Sequence, residues 1–254
     1  AKPPLLAVVH ALDPPSYFFV GTDSADLHFD PGLLPAGWMG AVQWAHFGGI
    51  SLAREPLAST LLALVRQLKE RGVRISYDPN FRQLMNESYD PTLAAMAALA
   101  DLIKVSDDDL RGLFRCTDAD AAFARLRDMQ PQALFLFTRG AAGASLFQGR
   151  DTWTARPPAI EVVDTVGAGD ASLAGLLASL MLHPARTGGE HLARAVAAGA
   201  AACMLAGAAP VTQEQVEDLA RRTEVGAGPP LPASPFVGNA HQTNYPGKAA
   251  GLPD

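Results

Sequence analysis

The sequence predicts an α/β protein with a largely parallel sheet flanked by helices, and three observations support that class. From Val42 onward, short apolar runs alternate with longer segments that carry apolar residues at helical spacing. Strands and helices that alternate in this way indicate βαβ units joined by right-handed crossovers. The most notable polar residues follow directly after predicted strands, where ligands of parallel sheets collect.

The composition of the 254-residue chain excludes several functional classes. A formal net charge of −6 disfavours nucleic acid and anionic membrane surfaces as partners. No apolar run approaches the roughly 20 residues of a membrane helix, and the first residues lack the basic and apolar regions of a signal peptide. Cys116 and Cys203 are far apart, which favours reduced thiols in a cytoplasmic protein, and the six histidines show no metal-binding spacing.

The secondary structure is predicted from hydrophobic periodicity and turn signals. A first pair of strands is predicted before Val42, joined by a turn at residues 13–16. The predicted strands are residues 5–9, 17–20, 42–47, 73–77, 102–105, 134–137, 145–147 and 159–163. The predicted helices are residues 57–71, 92–99, 107–114, 119–129, 190–206 and 212–222, with a further helix after residue 170 whose apolar stripe is Leu173, Leu176, Leu177 and Leu180. We expect one domain over residues 1–223 and a poorly ordered Pro/Gly-rich tail over 224–254.

The most informative stretch is Asp164-Thr165-Val166-Gly167-Ala168-Gly169-Asp170, which leads into the helix with the leucine stripe. Its two glycines allow a sharp turn and leave amide groups at the positive end of a helix dipole, where an anion binds well. Asp170 would repel that anion. Both features are explained if the carboxylate takes a proton from a hydroxyl while the amides hold a phosphoryl group. A simple capping turn also accounts for the glycines.

Two other phosphate-binding motifs are excluded by the residues present. The third glycine of a dinucleotide-binding fingerprint would fall on Ser172. The only Gly-Lys pair, Gly247-Lys248, is followed by Ala249 and lies in the predicted tail, so it is not a P-loop.

The heptapeptide and its helix of small residues resemble the C-terminal signature of the ribokinase-like (PfkB) carbohydrate kinases, most of all the fructokinases. The resemblance implies that Asp170 is the catalytic base and that the amides of Gly167, Ala168 and Gly169 form an anion hole. It also implies a three-layer αβα fold, with a small β lid over the sugar to which residues 1–30 contribute.

Three further segments match this family in the same order along the chain. Residues 78–82, Asp-Pro-Asn-Phe-Arg, are a turn signal, and the family's Asp-x-Asn-x-Arg motif places Asn80 and Arg82 beside substrate and phosphate. Residues 106–109 have the pattern of a helix N-cap. The family has an Asn-x-x-Glu element at this place, which implies a nucleotide and metal–phosphate role for Ser106 and Asp109, together with Lys104. The family's Thr-x-Gly-x-x-Gly element, whose backbone approaches the nucleotide, covers Thr138, Gly140 and Gly143.

The resemblance also implies that the adenine ring of the nucleotide lies beside a helix rich in small residues, which includes Ala197. A glycine hairpin also explains the segment from Thr138 to Gly143 without a ligand. Close helix packing likewise explains the small residues of the helix that includes Ala197. The resemblance implies ATP and Mg²⁺ as cofactors and a sugar as substrate, with no protein side chains assigned as metal ligands.

One family element is missing from the sequence. The Gly-Gly-x-x-x-Asn motif that binds the sugar is matched neither after Gly48-Gly49 nor after Gly188-Gly189, so we expect a kinase that lacks its first third. Fructose is the expected substrate. The alternatives are another kinase of the same fold, acting on 2-keto-3-deoxygluconate, ribose or a nucleoside, and a non-catalytic fragment that binds nucleotide. A homodimer is compatible with the sequence.

Overall fold

The computed structural model describes residues 1–12 and 15–228 of the chain. The strands are β1 (Leu6–Leu12), β2 (Pro15–Val20), β3 (Trp44–Gly48), β4 (Arg74–Asp78), β5 (Leu102–Ser106), β6 (Leu134–Thr138), β7 (Ala144–Gln148), β8 (Asp151–Arg156) and β9 (Glu224–Ala227). The α-helices are α1 (Gly49–Leu52), α2 (Leu57–Glu70), α3 (Asp90–Leu99), α4 (Asp107–Phe114), α5 (Ala119–Met129), α6 (Ala168–Leu182), α7 (Gly188–Cys203) and α8 (Gln213–Arg222).

The main sheet contains β3 to β9 in the order of the sequence. Pairing is parallel from β3 to β6 and antiparallel from β6 to β9. The α/β class is therefore confirmed, although half of the sheet is antiparallel. For β6 to β8 the reason is that the connections from β6 to β7 and from β7 to β8 are too short for a crossover and permit only hairpins.

Helices cover both faces of this sheet, which confirms the three-layer αβα arrangement. On one face, α2 to α5 bury a continuous core against inward-facing residues of β4 to β7, among them Ile75, Ile103 and Phe135. On the other face, Leu173 and Leu176 of α6 pack with residues of α7 against Leu102, Leu136 and Leu146. Alternate residues of each strand supply the two cores, because successive side chains point to opposite faces.

The predicted strand over residues 159–163 is wrong. Val162 and Val163 are each 58 % exposed, and the amide of Val163 donates to the carbonyl of Cys203 instead of joining the sheet. Strand β8, which precedes residues 159–163 in the chain, occupies this part of the sheet and pairs with β9 along its outer edge. Strand β9 starts at residue 224, so the sheet extends past the predicted domain boundary at 223. Residues 229–254 of the predicted tail lie outside the described residues.

The first two strands form a separate antiparallel sheet, as predicted for lid strands. Four of its apolar side chains are exposed, namely Leu6, Val8, Phe18 and Val20. No helix among the described residues combines the length and apolar character needed to cross a lipid bilayer.

Candidate active site

The turn that precedes α6 is held in place by Asp164. One carboxylate oxygen accepts a hydrogen bond from the amide of Val166 at 3.0 Å, and the other accepts one from the amide of Gly207 at 2.9 Å. These two amides lower the pKa of Asp164. Gly167 then caps the helix with φ +80°, a left-handed conformation that glycine adopts without strain.

The first turn of α6 presents backbone amides to solvent beside Asp170. The amide of Ala168 donates to the carbonyl of Thr165 at 3.2 Å, so this predicted member of the anion hole is already engaged. In the part of the chain that is described, the amides of Gly167, Gly169 and Asp170 have no protein acceptor. Asp170 itself is exposed. The site therefore combines free amides at a helix N-terminus with an accessible carboxylate.

The two glycines of this turn are constrained for different reasons. Gly167 has a positive φ, and a Cβ there would meet only Ala208 at 3.9 Å. Gly169 lies in the helix without a positive φ, but a Cβ there would lie 3.0 Å from Nζ of Lys104. The side chain at residue 169 is therefore restricted by a neighbouring cation and not by backbone conformation.

We expect Gly167→Ala to lower the free energy of unfolding by about 1–2 kcal/mol, because an alanine in the left-handed region is strained. Thermal and chemical denaturation of the purified chain would measure the loss. Gly40→Ala is the matched control, since Gly40 has no positive φ and a Cβ there would meet nothing within 4 Å. Equal stability of the two variants would contradict the assigned role of Gly167.

Below this turn lies a buried group of charges at the carboxyl ends of β4 and β5. Nζ of Lys104 is 3.0 Å from Oδ2 of Asp78 and 3.8 Å from Oδ2 of Asp109, and all three residues are buried. Burial raises the pKa of Asp78 to about 6, although Lys104 opposes the shift. Burial also opposes the charge on Lys104, but the nearby carboxylates outweigh it and the pKa of Lys104 is raised.

Asp109 acts as a helix cap in the structure. With Ser106 it forms a capping box, in which Oδ2 accepts from the amide and the hydroxyl of Ser106 at 2.8 and 2.7 Å. Its other oxygen accepts from the amide of Phe81 at 2.8 Å. The capping interpretation of residues 106–109 is thus confirmed, and the nucleotide role of Ser106 and Asp109 stays a prediction.

The loop after β4 is a tight turn that folds back on itself. Asn80 has φ +43°, and its amide donates to Oδ1 of Asp78 at 3.0 Å. The guanidinium of Arg82 donates to Oδ1 of Asn80 at 2.7 Å and to the carbonyl of Phe81 at 2.7 Å. The turn prediction is confirmed. A phosphate contact by Asn80 and Arg82 stays a prediction.

His46 is a polar residue near this site that the sequence analysis missed. It is paired with Ser76 across β3 and β4, and its Nδ1 lies 2.9 Å from the Ser76 hydroxyl. Desolvation lowers the pKa of His46, while the charge of Asp170 raises it. The signal was available, because His46 is a polar residue near the carboxyl end of a predicted parallel strand, residues 42–47.

The glycine-rich segment after β6 forms a hairpin. Gly140 and Gly143 have φ +51° and +94°, and a Cβ on Gly143 would lie 2.0 Å from the carbonyl oxygen of Ala155. The hydroxyl of Thr138 reaches the carbonyl of Val105 at 3.4 Å. The hairpin interpretation is confirmed, and contact with a nucleotide stays a prediction.

A cavity of about 560 Å³ lies between α6, α7 and α8, and its lining includes Gly167 and Asp170. Helix α7 contributes Ala198 and Ala202 to the lining. Ala197, the residue predicted to lie beside adenine, is fully buried in a separate cluster with Leu219. The small residues of α7 thus allow close helix packing and also line the cavity.

Comparisons with known proteins agree with this fold. The chain is 39% identical over 173 residues to a fructokinase from Klebsiella pneumoniae, covering 66% of this chain and 55% of that protein. It is 36% identical over 170 residues to a fructokinase from Salmonella thompson, covering 65% of this chain and 75% of that protein. The chain thus spans little more than half the length of the Klebsiella relative.

Two solved structures resemble most of the chain. One is an aminoimidazole riboside kinase from Salmonella enterica, complexed with aminoimidazole riboside and an ATP analogue, with a TM-score of 0.74, 27% identity, and coverage of 86% of this chain and 74% of that one. The other is a fructokinase from Vibrio cholerae in a form with fructose, ADP and calcium ion bound, with a TM-score of 0.72, 26% identity, and the same coverage. The family model for "pfkB family carbohydrate kinase" matches residues 6–218. With most of its length matched, the chain belongs to the pfkB family of carbohydrate kinases.

Proposed function

We propose that the protein containing this chain is an ATP-dependent sugar kinase that phosphorylates a hydroxyl of fructose. The observation that carries the proposal is the first turn of α6, where the exposed carboxylate of Asp170 lies beside backbone amides without protein acceptors. This pairing suits phosphoryl transfer, which needs an acceptor for the hydroxyl proton and fixed donors for the phosphoryl oxygens.

The proposed roles follow from the positions of the groups. The amides of Gly167 and Gly169 face negative charge that develops on the phosphoryl oxygens, and the α6 dipole adds to their effect. Asp170 accepts the proton of the attacking hydroxyl at its carboxylate. Fixed amides need no reorganisation during the reaction, which is the main advantage of such an arrangement.

Magnesium fits this site as an ion held by the nucleotide and not by a protein cage. The described residues contain no group of three or more His, Cys, Asp or Glu that could hold a metal. Mg²⁺ in kinases keeps several waters and is bound largely through substrate phosphates, so a protein cage is not required and Asp170 stays available as the proton acceptor. When bound, the ion neutralises charge on the phosphates.

Fructose is favoured as the acceptor because two relatives, at 39% and 36% identity, are fructokinases. A second candidate is aminoimidazole riboside, because the Salmonella enterica kinase for that compound has a TM-score of 0.74 with this chain. An ATP donor also favours a cytoplasmic location.

The test is a panel of acceptors offered with ATP and Mg²⁺ to the longest protein that the gene encodes. Fructose, aminoimidazole riboside, ribose and 2-keto-3-deoxygluconate are compared by kcat/KM in a coupled assay of ADP release. Preference for fructose would support the proposal, and preference for the riboside would favour the second candidate. Absence of turnover with every acceptor would contradict a sugar kinase.

A further inference from the structure

Another cavity, of about 530 Å³, lies against the strands β7, β8 and β9 and the hairpin that follows β6. We call it the β7–β9 cavity. It shares no lining residue with the cavity that contains Gly167 and Asp170. The polar side chains of its lining are those of Arg139, Ser145, Thr154, Arg156 and Glu224.

The strand register places the hydroxyl groups of this cavity on the sheet face opposite α6. Phe137, Ser145 and Thr154 are paired in line across β6, β7 and β8, so their side chains share one face. Phe137 belongs to the core that α2 to α5 bury. Helices α6 and α7 pack on the other face, against residues such as Leu146. The β7–β9 cavity is therefore distinct from the site at the first turn of α6.

Two side chains of the cavity have polar groups without a partner. Ser145 is only 6% exposed, yet in the part of the chain that is described its hydroxyl makes no hydrogen bond. Buried hydroxyls are normally paired. The guanidinium of Arg156 likewise has no ion pair or hydrogen bond with a described residue. Both side chains lie on the same face, because Thr154, the partner of Ser145, is two residues before Arg156.

Arg139 supplies a second guanidinium to the lining. Its Cζ lies 3.9 Å from the centroid of the Phe137 ring, and one of its five N–H groups donates to Asp120 of α5. The acid of the lining is Glu224, which is paired in register with Arg156 on β9 but forms no ion pair with it. The cavity thus offers two guanidinium groups and unused hydroxyl donors, with one carboxylate at its β9 side.

We propose that the β7–β9 cavity binds a sugar phosphate, with the phosphate group held by Arg139, Arg156 and the hydroxyl of Ser145. Guanidinium groups match the oxygens of a phosphate and stay charged at every physiological pH. A bound phosphate would also satisfy the two groups that lack a partner. Glu224 would repel a bare anion, but its carboxylate can accept hydrogen bonds from the hydroxyls of a sugar, which favours a sugar phosphate over inorganic phosphate.

The test uses the 254-residue chain and the variant Arg156→Gln, which removes the unpaired guanidinium. The matched control is Arg150→Gln. Arg150 is exposed, has no side-chain partner among the described residues, and lies in the turn at the other end of the β7–β8 hairpin. Both variants remove one positive charge, so that non-specific attraction changes equally in both. Ser145→Ala is a second test variant, and we expect its thermal stability to equal that of the wild type, because the hydroxyl has no partner to lose.

Binding is measured by isothermal titration with fructose 1-phosphate, inorganic phosphate and fructose at about 0.15 M salt, which screens long-range attraction. We expect fructose 1-phosphate to bind more tightly than inorganic phosphate. Its affinity should fall about tenfold in Arg156→Gln, about threefold in Ser145→Ala and less than twofold in Arg150→Gln. Hydrogen exchange locates the ligand, and we expect protection over residues 139–145 and 154–156 but not over residues 168–173.

Four outcomes would contradict the proposal in whole or in part. Protection at the start of α6, with wild-type affinity in Arg156→Gln, would mean that the ligand occupies the site at Gly167–Asp170. Equal losses in Arg156→Gln and Arg150→Gln would reveal non-specific attraction, and absence of binding by the wild type would exclude the site. Inorganic phosphate that binds as tightly as fructose 1-phosphate would keep the phosphate site and overturn the role of Glu224. None of these results depends on whether the chain phosphorylates a sugar.

Discussion

The purified 254-residue chain is expected to bind ATP with Mg²⁺ weakly and to show no measurable fructose phosphorylation. The turn at Gly167–Asp170 and the hairpin at residues 138–143 supply the predicted nucleotide half of the site. The Gly-Gly-x-x-x-Asn element of the sugar half is not in the sequence. Without it the acceptor hydroxyl is not aligned with the phosphoryl group, which forfeits a contribution of up to roughly 7–11 kcal/mol.

Isothermal titration with an ATP analogue measures nucleotide binding, and a fructose-dependent assay of ADP release measures phosphorylation of the sugar. The Klebsiella fructokinase, assayed beside the chain, serves as the positive control. Robust phosphorylation of fructose by the chain would mean that other residues form the sugar site. Failure to bind any nucleotide would instead contradict the nucleotide half.

The structure contains a second sign that this part of the site depends on further contacts. Among the described residues, no strand pairs with the outer edge of β3, which carries His46. Nε1 of Trp44 on the same strand is buried without a hydrogen-bond partner. Unpaired edges of this kind promote self-association, so light scattering of the chain at rising concentration is a useful companion measurement.

In any form of the protein that phosphorylates sugar, Asp170→Asn is expected to lower kcat by about 10²–10⁴, the usual cost of losing a positioned general base. Affinity for ATP should change little, because asparagine preserves the shape of the side chain and Asp170 is exposed. Steady-state kinetics and titration of an ATP analogue measure the two quantities.

The matched control for this prediction is Asp108→Asn. Asp108 is likewise an acidic residue in the first turn of a helix, it is 91% exposed, and its carboxylate pairs with Arg111 of the same helix, α4. Its replacement should leave kcat unchanged. An Asp170→Asn enzyme with wild-type kcat would remove Asp170 from the mechanism.

The local features of the site could be predicted from the sequence, because short motifs determine them. A glycine before an apolar helical stripe predicted the start of α6, and Gly167 indeed has the conformation that only glycine adopts freely. Ser106 and Asp109 have the spacing of a capping box, and both of its hydrogen bonds are present.

The features that could not be predicted depend on contacts between distant residues. The close approach of Lys104, which is on β5, limits the space for a side chain at residue 169, and no local pattern reveals that contact. Strand β8 was missed because its polar residues, such as Thr152 and Thr154, weaken the apolar signal. Its pairing on both edges, with β7 and β9, stabilises it as a strand.

The strictly sequential strand order means that the two cores are completed at different times as the chain is synthesised. The core formed with α2 to α5 uses residues from Phe47 to Phe147, so it can close once β7 has emerged from the ribosome. The opposite face, which includes Leu102 and Leu136, is first covered by Leu173 and Leu176 of α6 and is completed only when Val196 of α7 is available. A growing chain therefore carries an incompletely covered apolar sheet face for about fifty residues of synthesis, and that interval is when chaperone binding would protect it most.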